Sequence, residues 1–251
     1  MGRLRLYGES RIEEFIKSCN RHEHYAYIQP RPAQYAAWRG DHDLTIKYSE
    51  WVWKQSNCPS LKLNIPVPAL DILEEALANL PSFVSHRDNE GNSGWRSATI
   101  HGVDTHVTNN WNYYNFESEP AHTWTALADA CPKTKAWLES FPCTTYKRVR
   151  FMCLEPGGVI ALHRDNSERG LDAINVAINN PAHCNFYMED AGTIPWRAGD
   201  VRLIDIGRYH AVVNNSDAPR IHMIIHGGWN MDILKQTCES YDELSRLHFQ
   251  H

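Results

Sequence analysis

The feature of this chain that most constrains its fold is a series of short extended segments between Tyr146 and Trp229. Along residues 173–179, isoleucine and valine occupy the even positions, while alanine and asparagine occupy the odd ones. This period of two places apolar and polar side chains on opposite faces of a strand. Turn residues separate successive segments at intervals of about 10 to 15 residues. The pattern predicts a mainly β protein whose antiparallel strands form a jelly-roll-like sandwich or barrel.

Helical patterns are concentrated in residues 1–145. Ser10 and Glu13 form a capping box, which predicts that a short helix begins there. Four leucines follow Pro68 at helical spacing and predict an apolar stripe: Leu70, Leu73, Leu77 and Leu80. Two more short helices are predicted in 121–130 and in the segment that Pro132 opens and Pro142 closes.

The aromatic-rich segment 22–59 shows little periodicity, so we expect irregular structure that wraps over the core. No repeat or low-complexity linker divides the chain. We therefore predict a single domain, 1–251, in which 146–229 is the core. Residues 1–145 would pack on that core as a helical and aromatic region and shape the substrate pocket.

Charge and cysteine usage limit the partners and the compartment. The formal net charge is -5, and no block of consecutive lysines or arginines offers a surface for nucleic acid or an anionic membrane. The seven cysteines are scattered and never in C-x-x-C spacing, and no apolar run is long enough to span a membrane. We expect a reduced, cytoplasmic protein whose partners are small molecules or proteins, with Cys153 and Cys184 as core thiols.

The segment ALHRDN suggests a metal centre. His163 and Asp165 are two positions apart, so on an extended segment their side chains point to the same side. His210 lies 47 positions further on, at the predicted start of a strand. Two histidines and one carboxylate form the facial triad of non-haem iron(II) oxygenases, which leaves positions open for co-substrate and dioxygen. Asp165 has an alternative interpretation as a turn residue that bonds to the backbone.

Arg220 is a candidate for binding an anionic co-substrate. It opens a predicted strand ten residues after His210, and its guanidinium can pair with a carboxylate through two parallel hydrogen bonds. A metal next to a buried arginine would suit a 2-oxoacid. A surface salt bridge is the alternative role for this arginine.

The order of these motifs resembles one family. RVRFMCLEPGGVIALHRDN, INNP, FYMED and PWRAGDVRLIDIGRYHAVVNNSDAPRIHMII, within residues 146–229, are similar to the aspartyl/asparaginyl β-hydroxylases, which are 2-oxoglutarate- and iron(II)-dependent dioxygenases. The upstream segments CPKTKAWLESFP and GWRSATIHG also resemble this family. Residues 1–90 carry no such resemblance.

The resemblance implies a double-stranded β-helix, the jelly-roll form shared with cupins, with helices mostly from the N-terminal half. It implies Fe(II), 2-oxoglutarate and dioxygen as cofactor and co-substrates. His163, Asp165 and His210 would hold the metal, and Arg220 would bind the distal carboxylate of 2-oxoglutarate. The implied reaction couples oxidative decarboxylation of 2-oxoglutarate to hydroxylation of an aliphatic C–H bond.

One position departs from the family pattern. Where members commonly have an arginine and a histidine near the other end of 2-oxoglutarate, this chain has Ala173, Ile174 and Asn175. Asn175 can donate a hydrogen bond but carries no charge, and it could instead satisfy a buried backbone group. His222 lies on the same strand face as Arg220 and is a further candidate for contacting the co-substrate.

Several functions remain to be weighed. Asp165 fills the place that halogenating relatives leave open for halide, which favours hydroxylation. A nucleic-acid demethylase would carry a second arginine six positions after Arg220, where this chain has His226. A non-catalytic or isomerase-type cupin module is the alternative from another class. We expect the substrate to be a free amino acid or small derivative, or else a peptidyl Asp or Asn residue. Trp111, Tyr113 and Tyr114 are candidates for lining its pocket.

Overall fold

The computed structural model describes residues 2–19, 28–87 and 90–249, and of residues 2–10 only the backbone. The α-helices are α1 (Gly2–Cys19), α2 (His42–Lys54), α3 (Ala69–Ala78), α4 (Ala126–Ala130), α5 (Pro132–Ser140) and α6 (Met231–Phe249). The strands are β1 (Ser60–Leu63), β2 (Val84–Ser85), β3 (Ser93–Gly102), β4 (Thr123–Trp124), β5 (Cys143–His163), β6 (Leu171–Ala177), β7 (Cys184–Met188), β8 (Gly192–Ile194), β9 (Val201–Asp205), β10 (His210–Asn214) and β11 (Arg220–Trp229).

The described strands form one antiparallel sheet that curls into a barrel-like double-stranded β-helix, which confirms the predicted fold class. Its strand order is β1-β9-β6-β11-β5-β10-β7-β8, and β3 pairs with β2, β4 and β5. The long strand β5 pairs with β11 along residues 143–154 and with β10 along 159–163. Because β5 has these two partners in succession, it connects the two halves of the fold.

A bend in β5 makes this change of partners possible. The sequence EPGG predicts a turn, but the strand continues through it as one extended element. Gly157 has φ of +71°, which a residue with a side chain rarely adopts. A Cβ on Gly158 would lie 2.7 Å from the carbonyl oxygen of Glu155, so the backbone leaves no room for a side chain there. The two glycines therefore bend the strand without ending it.

The alternation along the strands separates two apolar clusters. On β5, the odd positions Val149, Phe151 and Cys153 belong to a large cluster shared with the helices. Even positions such as Met152 and Leu154 belong to a second cluster inside the barrel. The same rule applies to β11 and β6, so their polar residues at the alternate positions face the interior of the barrel.

Four helical features differ from the sequence predictions. Helix α2 lies within the segment expected to be irregular; Asp41 caps it by accepting from the Leu44 amide at 2.9 Å. Aromatic residues three apart, Tyr48 and Trp51, form its buried face. The aromatic residues scattered through the whole segment hid this period. Helix α1 continues through Ser10, so the predicted capping box is wrong.

The predicted leucine stripe is only half right, because Leu73 and Leu80 pack against the large apolar cluster but the other two leucines are exposed. Ile72 and Ala76 are fully buried, whereas Leu70 is 79 % and Leu77 40 % exposed. Both stripes have helical spacing, and the packing of α3 against α5 decides which one is buried. The sequence analysis also did not predict α6, which packs against α2. No helix of the described part of the chain combines the length and apolarity needed to cross a membrane.

Candidate active site

The fold brings the three predicted metal ligands together. His163 ends β5, His210 begins β10, and the two residues pair in register. Asp165 lies two residues after His163, and its backbone amide donates to the carbonyl of Ile206 at 2.9 Å. The potential ligand atoms of these three residues all lie within 4.8 Å of one another. Nε2 of His163 and of His210 lie 3.9 and 3.8 Å from the two oxygens of Asp165.

Hydrogen bonds on the far side of each ring orient the histidines. Nδ1 of His163 lies 2.7 Å from the carbonyl oxygen of Ala161, and Nδ1 of His210 lies 2.9 Å from that of Arg208. A carbonyl only accepts, so Nδ1 carries the proton in both rings. Nε2 of each ring therefore carries a lone pair and lies on the side that faces Asp165. Histidine ligands of metal ions commonly have this arrangement.

The charge states also suit a cation. Burial lowers the pKa of His210 to about 4, with help from His163, so this ring is neutral at pH 7. Burial alone would raise the pKa of Asp165, but His163, His210 and Arg87 outweigh it, and the net shift is downward. Nη1 of Arg87 donates to Oδ1 of Asp165 at 3.1 Å. A charged carboxylate therefore faces the neutral imidazole of His210.

These donors fit a divalent transition metal. Two ligands that are each about 2.1 Å from one ion lie roughly 3 Å apart. The 3.8 to 3.9 Å between each Nε2 and its nearer Asp165 oxygen would therefore have to contract by less than about 1 Å. Two nitrogens and one carboxylate are the donor set of iron(II) oxygenases.

A cavity of about 420 Å³ extends from the three residues through the barrel interior. Arg220 lies at one end of it. Its side chain is almost fully buried, its Nε has no hydrogen-bond partner, and no acidic side chain of the described residues lies within 4 Å of it. Burial lowers the pKa of Arg220 to about 10, which still leaves it charged at pH 7. A buried guanidinium without an anion is costly, so this end of the cavity suits a carboxylate ligand.

His222 lies beside Arg220, as its position on the same strand face predicts. Asn175, which was expected near the other end of the co-substrate, lies next to His222 instead. Nδ1 of His222 is 2.8 Å from Nη2 of Arg220 and 2.9 Å from the side-chain oxygen of Asn175. A guanidinium only donates, so Nδ1 accepts, and the ring proton is on Nε2. The Asn175 amide must then turn its NH2 group, not its oxygen, toward Nδ1. That Nε2 is buried and has no hydrogen-bond partner. Arg220 and His222 thus each leave one buried donor unpaired in the same part of the cavity.

The cavity also contains basic residues that the sequence analysis missed. They are His86 and Arg87, which follow β2, and Arg148 and Arg150 on β5. The signal for the arginines was present in KRVRFM, where arginines alternate with apolar residues that face the helices. His86 and Arg87 lie in no such alternating pattern. Arg87 lies 78 residues from Asp165, and only the fold brings them together.

Of the three aromatic candidates, one lines the cavity. Trp111 is part of its wall. Tyr113 is 63 % exposed at the surface. The hydroxyl of Tyr114 accepts from the amides of Thr108 and Asn109 at 3.0 and 3.2 Å, so this side chain holds its own loop. Tyr113 and Tyr114 are therefore not part of the cavity wall.

A family model described as aspartyl/asparaginyl β-hydroxylase matches residues 70–227, which is more than half of the chain. The match begins at residue 70, so the expectation that residues 1–90 carry no resemblance to this family is wrong for residues 70–90. The match also includes β3, α4 and α5. No curated protein matches this chain significantly.

Several solved structures show remote similarity to this chain. A 2OG-Fe(II) oxygenase family protein from Burkholderia pseudomallei is 13 % identical, with a TM-score of 0.42, over 74 % of this chain and 93 % of its own. A Trichoplax adhaerens prolyl hydroxylase, in complex with a hypoxia inducible factor peptide fragment, is 12 % identical with a TM-score of 0.46, over 79 % and 93 %. HygX from Streptomyces hygroscopicus, with nickel and 2-oxoglutarate bound, is 13 % identical with a TM-score of 0.40, over 66 % and 81 %.

Proposed function

The chain belongs to the aspartyl/asparaginyl β-hydroxylase family, and from this premise we propose that it hydroxylates an aliphatic C–H bond of a free amino acid or small derivative. A peptidyl Asp or Asn residue is the second candidate substrate. As a member of this family the chain is a 2-oxoglutarate-dependent oxygenase that uses Fe(II). The observation that carries the proposal is the convergence of His163, Asp165 and His210 in the wall of a cavity that also contains an arginine without an anionic partner among the described residues.

His163, Asp165 and His210 would hold the iron. When bound, the metal activates dioxygen for attack on an unreactive C–H bond. The hydrogen bonds to the Ala161 and Arg208 carbonyls hold the proton on Nδ1 and aim Nε2 of both imidazoles at the metal position. Arg87 orients the carboxylate of Asp165 by donating to Oδ1, the oxygen that lies nearest His163. Three protein ligands leave positions free for co-substrate and dioxygen.

Arg220 would bind the distal carboxylate of 2-oxoglutarate. Its Nε and the Nε2 proton of His222 are buried donors without acceptors, and a carboxylate supplies acceptors for both. Asn175 would support this group through its contact with His222. In this arrangement the chain's own residues orient the co-substrate, and burial keeps water away from it.

The size of the cavity favours a small substrate. Ligand cavities for single small molecules measure roughly 300 to 1,000 Å³, and this cavity, at about 420 Å³, is near the lower bound. It must hold both 2-oxoglutarate and the reacting part of the substrate. A free amino acid fits that space, as does one side chain of a peptide that binds across the mouth.

The test is formation of succinate from 2-oxoglutarate by purified protein with Fe(II) and ascorbate, together with a mass-spectrometric search for products 16 Da heavier. We expect succinate from the wild type and none from His163→Ala or His210→Ala. Folding of both variants is checked by circular dichroism. Retained turnover in either folded variant would refute the ligand assignment, and a wild type that forms no succinate would refute the function.

A further inference from the structure

We propose that Arg208 and Asn57 are positioning residues for the metal centre, because they hold a turn whose carbonyl groups orient two of the three ligands. This inference rests on the proposed function in one respect, since it takes His163, Asp165 and His210 as the ligands of a divalent metal. Neither the spacing of the ligands nor the family resemblance gives the two positioning residues a role.

The turn between β9 and β10, residues 206–209, orients both ligands through its backbone carbonyls. The carbonyl of Ile206 accepts from the amide of Asp165 at 2.9 Å. The carbonyl of Arg208 accepts from Nδ1 of His210 at 2.9 Å. Hydrogen bonds weaken steeply when their distance or angle departs from the optimum. The position of this turn therefore determines where the two ligands lie.

The side chain of Arg208 holds this turn from inside the protein. It is only 1 % exposed and is among the largest of the fully buried side chains. Its Nε donates to Oδ2 of Asp205 at 2.9 Å, and its Nη1 donates to Oδ2 of Asp190 at 2.7 Å. The other oxygen of Asp205 accepts from the amide of Gly207, within the turn, at 3.1 Å. Because a guanidinium is planar and rigid, these bonds together restrict the position of the turn.

Asn57 supplies further partners from a distant part of the chain. It lies between α2 and β1, 151 residues before Arg208. Nη2 of Arg208 donates to the backbone carbonyl of Asn57 at 3.0 Å and to its side-chain oxygen at 2.5 Å. The carbonyl of Pro59 accepts from the amide of Asp205 at 3.0 Å. The family model matches residues 70–227, so this support comes from a segment that the match does not include.

Close packing adds a second restriction on the same turn. A Cβ on Gly207 would lie 2.0 Å from the carbonyl oxygen of Glu168, so no side chain fits between the turn and the loop that follows Asp165. Oδ1 of Asp205 also accepts from the amide of Gly170, in that loop, at 2.9 Å. The loop after one ligand and the turn before another are therefore fixed relative to each other.

A buried ion cluster of this kind specifies geometry better than it stabilises a fold. Desolvation of Arg208 and Asp205 offsets much of their attraction, and well-packed apolar residues often give equal or greater stability. The best attested use of such clusters is to fix one arrangement of the groups around them. Here those groups are the carbonyls of Ile206 and Arg208, on which the orientation of two ligands depends.

The test measures the affinity of the metal-free protein for Co(II), whose visible absorption changes when nitrogen and oxygen ligands replace water around it. Arg208→Gln should weaken Co(II) binding about 10- to 100-fold, while the KM for 2-oxoglutarate at saturating Fe(II) stays within about twofold. Arg208→Lys should recover part of the lost affinity, because an ammonium group can still pair with one of the two aspartates.

Arg202→Gln is the matched control for a purely structural effect. Arg202 is 7 % exposed, and its guanidinium donates to Ser60, Pro195 and Asp200. None of these partners lies in the turn before His210. Both glutamine variants should lower the midpoint of urea unfolding, but Arg202→Gln should leave the Co(II) affinity unchanged.

Asn57→Gly tests the same contact with a milder substitution, which carries the test if Arg208→Gln does not fold. Asn57 has φ of +57°, which glycine adopts readily, so the exchange removes a side-chain acceptor without straining the backbone. We expect a loss of Co(II) affinity of more than about twofold but smaller than that of Arg208→Gln, because the backbone carbonyl still accepts from the guanidinium.

Two outcomes would overturn the positioning role: wild-type Co(II) affinity in both Arg208→Gln and Asn57→Gly, or equal losses in Arg208→Gln and Arg202→Gln. Wild-type affinity in Asn57→Gly alone would overturn the assignment of Asn57. Succinate formation by wild type judges the proposed function separately, so it survives if only the positioning role fails. A wild type that binds no Co(II) would refute both proposals.

Discussion

Single side chains around the candidate metal centre act through partners that are far away in sequence. Arg87 reaches Asp165 at 3.1 Å and Glu90 at 3.8 Å, so one guanidinium lies between two carboxylates. Partners of this kind orient a ligand and keep it charged. Arg220 shows the opposite arrangement. No carboxylate of the described residues lies within 4 Å of it, and its proposed role requires that none does.

Replacing Arg87 with glutamine should weaken metal binding about 10- to 100-fold, because Asp165 loses the group that orients it. Isothermal titration with Fe(II) under nitrogen measures the affinity. Glu90→Gln is the matched control, since it removes the other carboxylate near the same guanidinium and should leave the affinity unchanged. Equal effects of the two substitutions would contradict a specific role for the contact with Asp165.

Arg220→Ala should raise the KM for 2-oxoglutarate at least tenfold, because the distal carboxylate loses a charge-assisted bidentate pair. Arg220→Lys should restore only part of the loss, since an ammonium group cannot form the planar pair. Initial rates of succinate formation at increasing 2-oxoglutarate concentration provide the measurement. An unchanged KM in the alanine variant would mean that the carboxylate binds elsewhere.

At the scale of the elements, the carboxylate of Asp242 connects helix α6 to helix α2. Asp242 on α6 accepts from Tyr48 at 2.7 Å and from Trp38 at 3.2 Å, and it pairs with Arg31 at 2.8 Å. Tyr48 is fully buried, and its pKa is raised by burial and then by Asp242, so its hydroxyl remains a donor. This contact joins the C-terminal helix to α2 and to the segment before it.

Asp242→Ala should lower the free energy of unfolding by about 3 kcal/mol, because a buried tyrosine hydroxyl loses its acceptor and an ion pair is lost. Urea unfolding measures this value. The neighbouring exposed Glu243→Ala should change it by no more than about 0.5 kcal/mol. If the two variants were equally stable, the contact would not join the helices energetically.

At the scale of the whole molecule, folding buries histidines beside the arginines that line the barrel interior. His86 is 1 % exposed, and its Nδ1 lies 2.9 Å from the Ser97 hydroxyl. Burial and Arg150 lower its pKa to about 2, against about 6.5 in an unfolded chain. As pH falls below 6.5, the unfolded chain binds a proton at His86 and the folded chain does not. Stability is therefore fully present above pH 6.5 and declines as pH falls.

Between pH 7 and pH 5, this single histidine should cost the metal-free protein roughly 2 kcal/mol of stability. His86→Gln should remove that contribution, so that its free energy of unfolding falls about 2 kcal/mol less than that of wild type over the same interval. Urea unfolding at the two pH values, with the exposed His106→Gln as control, tests the difference. The same pH dependence in His86→Gln as in wild type would show that His86 protonates without unfolding.

The sequence by itself determined the architecture and the ligand candidates. Period-two alternation is a local property. It predicted that Ile174 and Val176 turn one way and Asn175 the other, and the structure places the first two in the large apolar cluster and Asn175 in the cavity wall. The spacing of His163 and Asp165 is local as well. The ordered motifs of residues 146–229 pointed to the family that the match over 70–227 supports.

Only the tertiary structure decided which residues meet. Alternation assigns a face but names no partner, so it could not pair Arg87 with Asp165 or place His226 opposite Arg148. Helical spacing likewise allowed two stripes on α3, and contact with α5 selected Ile72 and Ala76 over Leu70 and Leu77. The physical reason is the same in each case: burial and charge pairing are properties of a site that several distant segments build together, and no one segment encodes them.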